Sequence, residues 1–102
     1  MRSREQLLVE LKYRMESEDS LRNDVERCIS LPTDSLQICK SRLEEAVRTK
    51  SANAQELRAL RRAVKKGTLN VVKAHSRELP EARAAVADNA DRIVALQALL
   101  SV

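Results

Sequence analysis

The sequence predicts an all-α fold: an antiparallel three-helix bundle with coiled-coil-like packing. Three observations lead there. Apolar residues recur at alternating spacings of three and four along most of the chain, the pattern of a helix packed along a seam. Among 102 residues there is one Tyr, no Phe and no Trp, so a core must be filled by Leu, Val, Ile, Met and Ala, which suit helical seams better than sheets. One Gly and two Pro leave room for only a few turns.

The first helix, about residues 3–30, opens on Ser3 with Gln6 three residues on. That is the form of a capping box, in which each side chain satisfies an orphan N–H at the helix start. Its stripe reads Leu8, Leu11, Met15, Glu18, Arg22, Val25, Ile29, flanked by Leu7, Leu21 and Cys28. Pro32 disfavours helical geometry at Leu31 and predicts an end there. Thr33-Asp34-Ser35 then supplies N-cap candidates for a second helix, about 34–66. Its stripe runs Leu36, Cys39, Leu43, Ala46, Lys50, Asn53, Leu57, Leu60, Val64. Lys65 and Lys66 suit the negative end of a helix dipole, and Gly67 reads as a C-terminal stop.

The third stripe, in a helix of about 69–101, runs Val72, His75, Leu79, Ala82, Val86, Asn89, Ile93, Leu96, Leu100. It lies one residue out of phase with the second, whose continuation gives Val71, Ala74 and Glu78. This slip points to a turn near Gly67 with Thr68 as the next cap. Pro80 sits on the outward side of the third stripe. It is expected to bend the helix by removing the hydrogen bond to the Ser76 carbonyl.

Together the three helices make one domain spanning 1–102. A hairpin centred between Thr33 and Asp34 sets Glu18 near Lys50, a pairing that fixes register more than it stabilises. It also levels Cys28 with Cys39, leaving a disulfide open in an oxidising compartment. As reduced thiols, the favoured reading, the two act as small buried apolar residues. No run of about 18 apolar residues occurs, and the basic start is followed by only a short apolar group, so neither a membrane span nor a signal peptide is expected. A soluble cytoplasmic protein follows.

Little in the chain supports catalysis. There is one His, no Gly-rich loop, and no nucleophile with a reacting base in sequence, so no enzyme and no cofactor are expected. His75 reads as a partly buried seam residue, and two Cys with one distant His are too few for a metal site. Charge is the most uneven property. Up to Leu31 six basic and seven acidic residues sum to −1; from Pro32 to Lys66 nine and four sum to +5; the remainder is neutral. Within the middle segment Arg58, Arg61, Arg62, Lys65 and Lys66 have no acid among them, and their spacing puts them along one exposed stripe. This stripe reads either as an ordinary solvated face or as the candidate partner-binding surface, and in the second case an acidic protein surface is its first candidate partner. Nucleic acid ranks second, because no aromatic or Asn/Gln readers accompany the stripe.

The run from Leu21 through Val25 to Leu31, then Pro32-Thr33-Asp34 opening into Leu36, resembles the first helix end and hairpin of the tubulin-binding cofactor A family. Glu81-Ala82-Arg83 resembles a short element of that family's last helix. The in-helix proline differs in place, here Pro80 in the third segment. The resemblance implies a three-helix chaperone that captures β-tubulin, whose acidic surface suits the basic stripe. The rival class is a structural coiled-coil or spectrin-like adaptor that self-associates as a homodimer, although the Trp that anchors spectrin repeats is absent.

Overall fold

A computed structural model describes residues 2–102. In it the chain is helical from Arg4 to Leu100 apart from one four-residue turn. Helix α1 spans Arg4–Thr49, α2 spans Ala54–Lys73, a π-helical segment covers Ala74–Glu78, and α3 spans Leu79–Leu100. The all-α expectation holds, and no strand occurs among the described residues. The division into helices at 3–30, 34–66 and 69–101 does not hold. Helix runs through both expected turns, at Leu31–Asp34 and Gly67–Leu69, and the chain reverses at Lys50–Asn53.

The turn has a local cause. Lys50 takes a left-handed backbone, φ 53°, which ends α1. Asn53 is extended, and its Oδ1 accepts the Glu56 N–H at 2.9 Å while its Nδ2 donates to Glu56 Oε1 at 3.3 Å. That is the Asn counterpart of a capping box. Thr49 Oγ1 lies 2.8 Å from the Glu45 carbonyl oxygen and 2.9 Å from Ser51 Oγ. Lys50 and Asn53 therefore form the loop rather than a polar gap in a seam. The expected Glu18–Lys50 pair is replaced by Glu18 with Arg22, one turn along α1.

The chain divides into two compact units, Arg27–Leu79 and Met1–Glu26 with Pro80–Val102. The first is an αα-hairpin. Leu36, Ala46, Ala74 and Leu79 are buried in it, with Cys39, Leu43, Leu57, Leu60 and Val64 half-buried. Continuing α1 through Pro32 forfeits one backbone bond and costs about 3 kcal/mol. In return Leu36 and Ala46 reach buried positions, and Thr33 Oγ1 donates to the Ile29 carbonyl at 2.9 Å. Cys28 and Cys39 are free and half-buried. Eleven residues apart on one helix, they are separated by roughly 16 Å, too far for the disulfide that a hairpin at Thr33–Asp34 allowed.

Gly67 is a packing residue and ends nothing. A Cβ there would lie 3.1 Å from Leu36 Cδ1 and 3.4 Å from Leu36 Cα, so the missing side chain lets α2 approach α1. Beyond it the register of α2 persists: Val71 is half-buried and Ala74 buried, whereas Val72 and His75, expected inside, are exposed. The one-residue slip is real but is absorbed at Ala74–Glu78, where Leu79 N–H donates to the Ala74 carbonyl. An i→i+5 turn holds one extra residue, so Leu79 is buried where Glu78 was due. Pro80 follows directly. It has no N–H, and its ring opposes the carbonyl four residues back; the widened turn before it relieves both.

In the other unit the N-terminal part of α1 lies beside α3. The Ser3 cap forms as expected: Gln6 N–H donates to Ser3 Oγ at 3.2 Å, and Ser3 N–H donates to Gln6 Oε1 at 3.0 Å. From Ala82 onward the third stripe faces inward, with Asn89 2% and Leu96 0% exposed. On α1 the half-buried row is Leu7, Leu11, Arg14, Glu18, Leu21 and Val25. Leu8 and Met15, expected in the seam, are 47% and 53% exposed. Polar groups of α3 set this rotation: Asn89 Nδ2 donates to the Arg14 carbonyl at 2.9 Å, and Arg92 reaches Glu10. Those bonds need the Glu10–Arg14 side of α1 turned inward. Ile29, 42% exposed in the hairpin unit, continues the outward row.

Two substitutions test the hairpin. Gly67→Ala should change stability by less than about 1 kcal/mol, since gained helix propensity offsets the tight contact. Gly67→Val should cost roughly 1–3 kcal/mol by overpacking. Urea titrations in which the valine variant matches the native protein would contradict the close approach to Leu36. Lys50→Gly should stabilise by about 1 kcal/mol, because glycine accepts a left-handed backbone without steric cost. A lowered unfolding midpoint would contradict the turn geometry.

Candidate functional site

The five basic residues of the expected stripe all lie on α2 within the hairpin unit, and all are exposed. At about 100° per residue, Arg58, Arg61, Arg62, Lys65 and Lys66 fan over roughly 140° of helix surface. Leu57, Leu60 and Val64 occupy the opposite side and are half-buried against α1. The five share one helix and are exposed, although that helix is bounded differently from the 34–66 expected. None of the five takes part in an ion pair among the described residues. Their charge is therefore unpaired among the described residues.

In the sequence the stripe ends at Lys66, because Gly67 reads as a helix end. Since α2 continues, the same face extends over Leu69, Val72 and Lys73. Leu69 is 61% and Val72 57% exposed. The result is a surface of mixed character, cationic in its first three turns and apolar beyond. At its N-terminal end a shallow groove is lined by Ala54, Gln55, Arg58, Ala59 and Arg62. Such a face suits carboxylates followed by apolar side chains, as on an acidic amphipathic helix.

A second polar cluster, in the other unit, escaped the sequence reading. Arg92 grips Glu10 with two hydrogen bonds, Nε to Oε1 at 2.8 Å and Nη2 to Oε2 at 3.1 Å. Arg2 pairs with the same carboxylate. Arg14 Nε lies 3.8 Å from Glu10 Oε1 and has no hydrogen-bond partner. The Arg92 hydrogen bonds, opposed by partial desolvation and aided by Arg2, hold the Glu10 carboxyl well below its ordinary value of 4.5, at about 2. Reciprocally, Glu10 holds the Arg92 guanidinium more firmly protonated. With the buried Asn89–Arg14 bond this cluster fixes how α1 and α3 face each other, a positioning role for polar groups in a seam. The usable signal in the sequence was Asn89 and Arg92 at neighbouring positions of one stripe.

His75 sits exposed in the π segment, apart from both clusters. Among the described residues no three His, Cys, Asp or Glu side chains gather as metal ligands, and no helix is long and apolar enough to cross a membrane. No protein-family model matches the chain, and no curated protein or solved structure matches it.

A depressed carboxyl makes stability pH-dependent in a known direction. The contribution of Glu10 is complete above its ordinary value of 4.5 and is lost as pH falls toward its folded value. Glu10→Gln should therefore melt below the native protein at pH 7, and the gap should close between about pH 4.5 and pH 2. A gap that stays constant over that interval would show that the carboxylate charge is not what the cluster uses.

Proposed function

We propose that the chain is a non-catalytic helical docking module that binds protein through the basic and apolar outer face of α2. The observation that carries this reading is uncompensated charge next to exposed aliphatic surface: five cations without partners, continued by Leu69 and Val72. A helix with one neighbour buries one stripe, and side chains such as Ile38 and Val47 remain more than half exposed. Partner helices laid on these faces would complete a bundle of three or more helices.

The resemblance to the cofactor A family supplies β-tubulin as a first partner to test. Of the elements behind it, Pro32-Thr33-Asp34 lies inside the continuous α1, so this choice rests on the acidic surface that the stripe suits. Nucleic acid remains the competing ligand for a cationic face, although Leu69 and Val72 add nothing to phosphate binding.

Native protein and the double variant Arg58→Glu with Arg62→Glu should be titrated against tubulin and against duplex DNA at low and high ionic strength. The expected result is tubulin binding that the variant weakens mainly by slowing association, more so at low salt. Tubulin binding unchanged in a folded double variant would remove this face from the account. Binding of DNA alone, with a steep salt slope, would turn the reading toward nucleic acid.

A further inference from the structure

We infer that the acidic, apolar surface which the α2 face takes is the outer face of α1 in a second copy of this chain. The inference rests on α2 being a docking face and goes further by naming its occupant. Charge is divided between the two units. Met1–Glu26 with Pro80–Val102 carries seven basic and ten acidic residues, net −3, whereas Arg27–Leu79 carries twelve and five, net +7. Neither figure is visible in the chain's total of +4.

The acidic unit concentrates its charge where apolar side chains are also exposed. On α1, Glu5, Leu8, Val9, Met15, Glu16 and Asp19 fall within about 120° of helix surface, facing away from Leu7, Leu21 and Val25. All six are exposed, with Leu8 47%, Val9 69% and Met15 53%. Glu5, Glu16 and Asp19 take part in no ion pair among the described residues. Lys12 is the one base within that arc. This is the counterpart of the α2 face in both respects, acids for bases and aliphatics for aliphatics. A shallow groove borders this face at Glu5 and Val9, with Arg2, Glu10 and Tyr13 on its far side, and one involving Arg58 and Arg62 lies on the α2 face.

Each copy carries both faces, so the α1 face of one copy meets the α2 face of another, a heterologous contact. The exposed aliphatics of both faces are then covered, and their unpaired charges meet partners of opposite sign.

Opposite charge on the two faces makes the test specific. Two double variants are compared with native protein by sedimentation equilibrium: Arg58→Glu with Arg62→Glu, and Glu16→Lys with Asp19→Lys. Circular dichroism checks that each keeps its helix. Native protein should self-associate, less so as salt is raised, and each variant alone should dissociate at least about tenfold more readily, because like charges then face each other. An equimolar mixture of the two variants should recover association, since it offers one native contact and one reversed acid–base contact. Native protein that is monomeric, self-association insensitive to both variants, or a mixture that does not recover would each overturn the inference. If a variant loses helix, the salt dependence of native self-association decides alone, and self-association unaffected by salt overturns the inference. A monomeric native protein whose tubulin binding is still lost in Arg58→Glu with Arg62→Glu would leave the docking face standing and remove only self-association. Reversal of the stripe without effect on any association would remove the docking face itself.

Discussion

Each unit of this chain is held by one pair of antiparallel helices meeting along a seam one or two side chains wide. With no third helix to share the load, small features of the seam carry large consequences. A glycine facing Leu36 sets how near α2 can approach α1. One extra residue in the helix after α2 must be absorbed at once, and the π segment absorbs it before Leu79. In the other unit, where aliphatic side chains alone would leave α1 free to rotate, Asn89 and Arg92 anchor the Arg14 carbonyl and the Glu10 carboxylate. Leu96, fully buried, packs within a geometry that these polar bonds specify.

The same narrowness explains the surface. A helix in a two-helix pair keeps most of its circumference in water, so the character of its outer face is a matter of function or association rather than of core packing. On α2 that face is cationic and aliphatic, and on the N-terminal part of α1 it is anionic and aliphatic. Scattered exposed aliphatics need no explanation. Aliphatics aligned with unpaired charge, mostly basic on α2 and mostly acidic on α1, are the observation on which the proposed docking rests.

Much of this was legible in the residues, and the errors share a cause. The Ser3–Gln6 cap, the stripe from Ala82 to Leu100, the inward rows Leu36 to Ala46 and Leu57 to Val64, and the phase slip after them were all readable. Placing the turns was not. Pro32 and Gly67 are strong local signals for helix ends, yet both lie inside helices because burial on either side outweighs their local cost. The true turn contains neither residue type. Its signature was Asn53 with Glu56 three residues on, a cap pattern hidden because Lys50 and Asn53 fell in register with the stripe. The sequence favours Met15 over Arg14 for the inward row because an aliphatic side chain outranks a charged one, and Leu8 falls in register with it in place of Leu7, whereas hydrogen bonds to α3 decide the rotation of α1. Sequence periodicity reports the period of a stripe reliably and its centre only within one row.

The account depends most on α1 being one unbroken helix through Pro32, with the reversal at Lys50–Asn53. The native cysteines bear on this without any substitution. Dilute native protein should be treated with a mild oxidant and its intact mass determined under denaturing conditions. The monomer is expected to keep both thiols free, because Cys28 and Cys39 stand roughly 16 Å apart along one helix. Quantitative formation of an intramolecular Cys28–Cys39 disulfide would place the hairpin at Thr33–Asp34 and contradict the two-helix architecture.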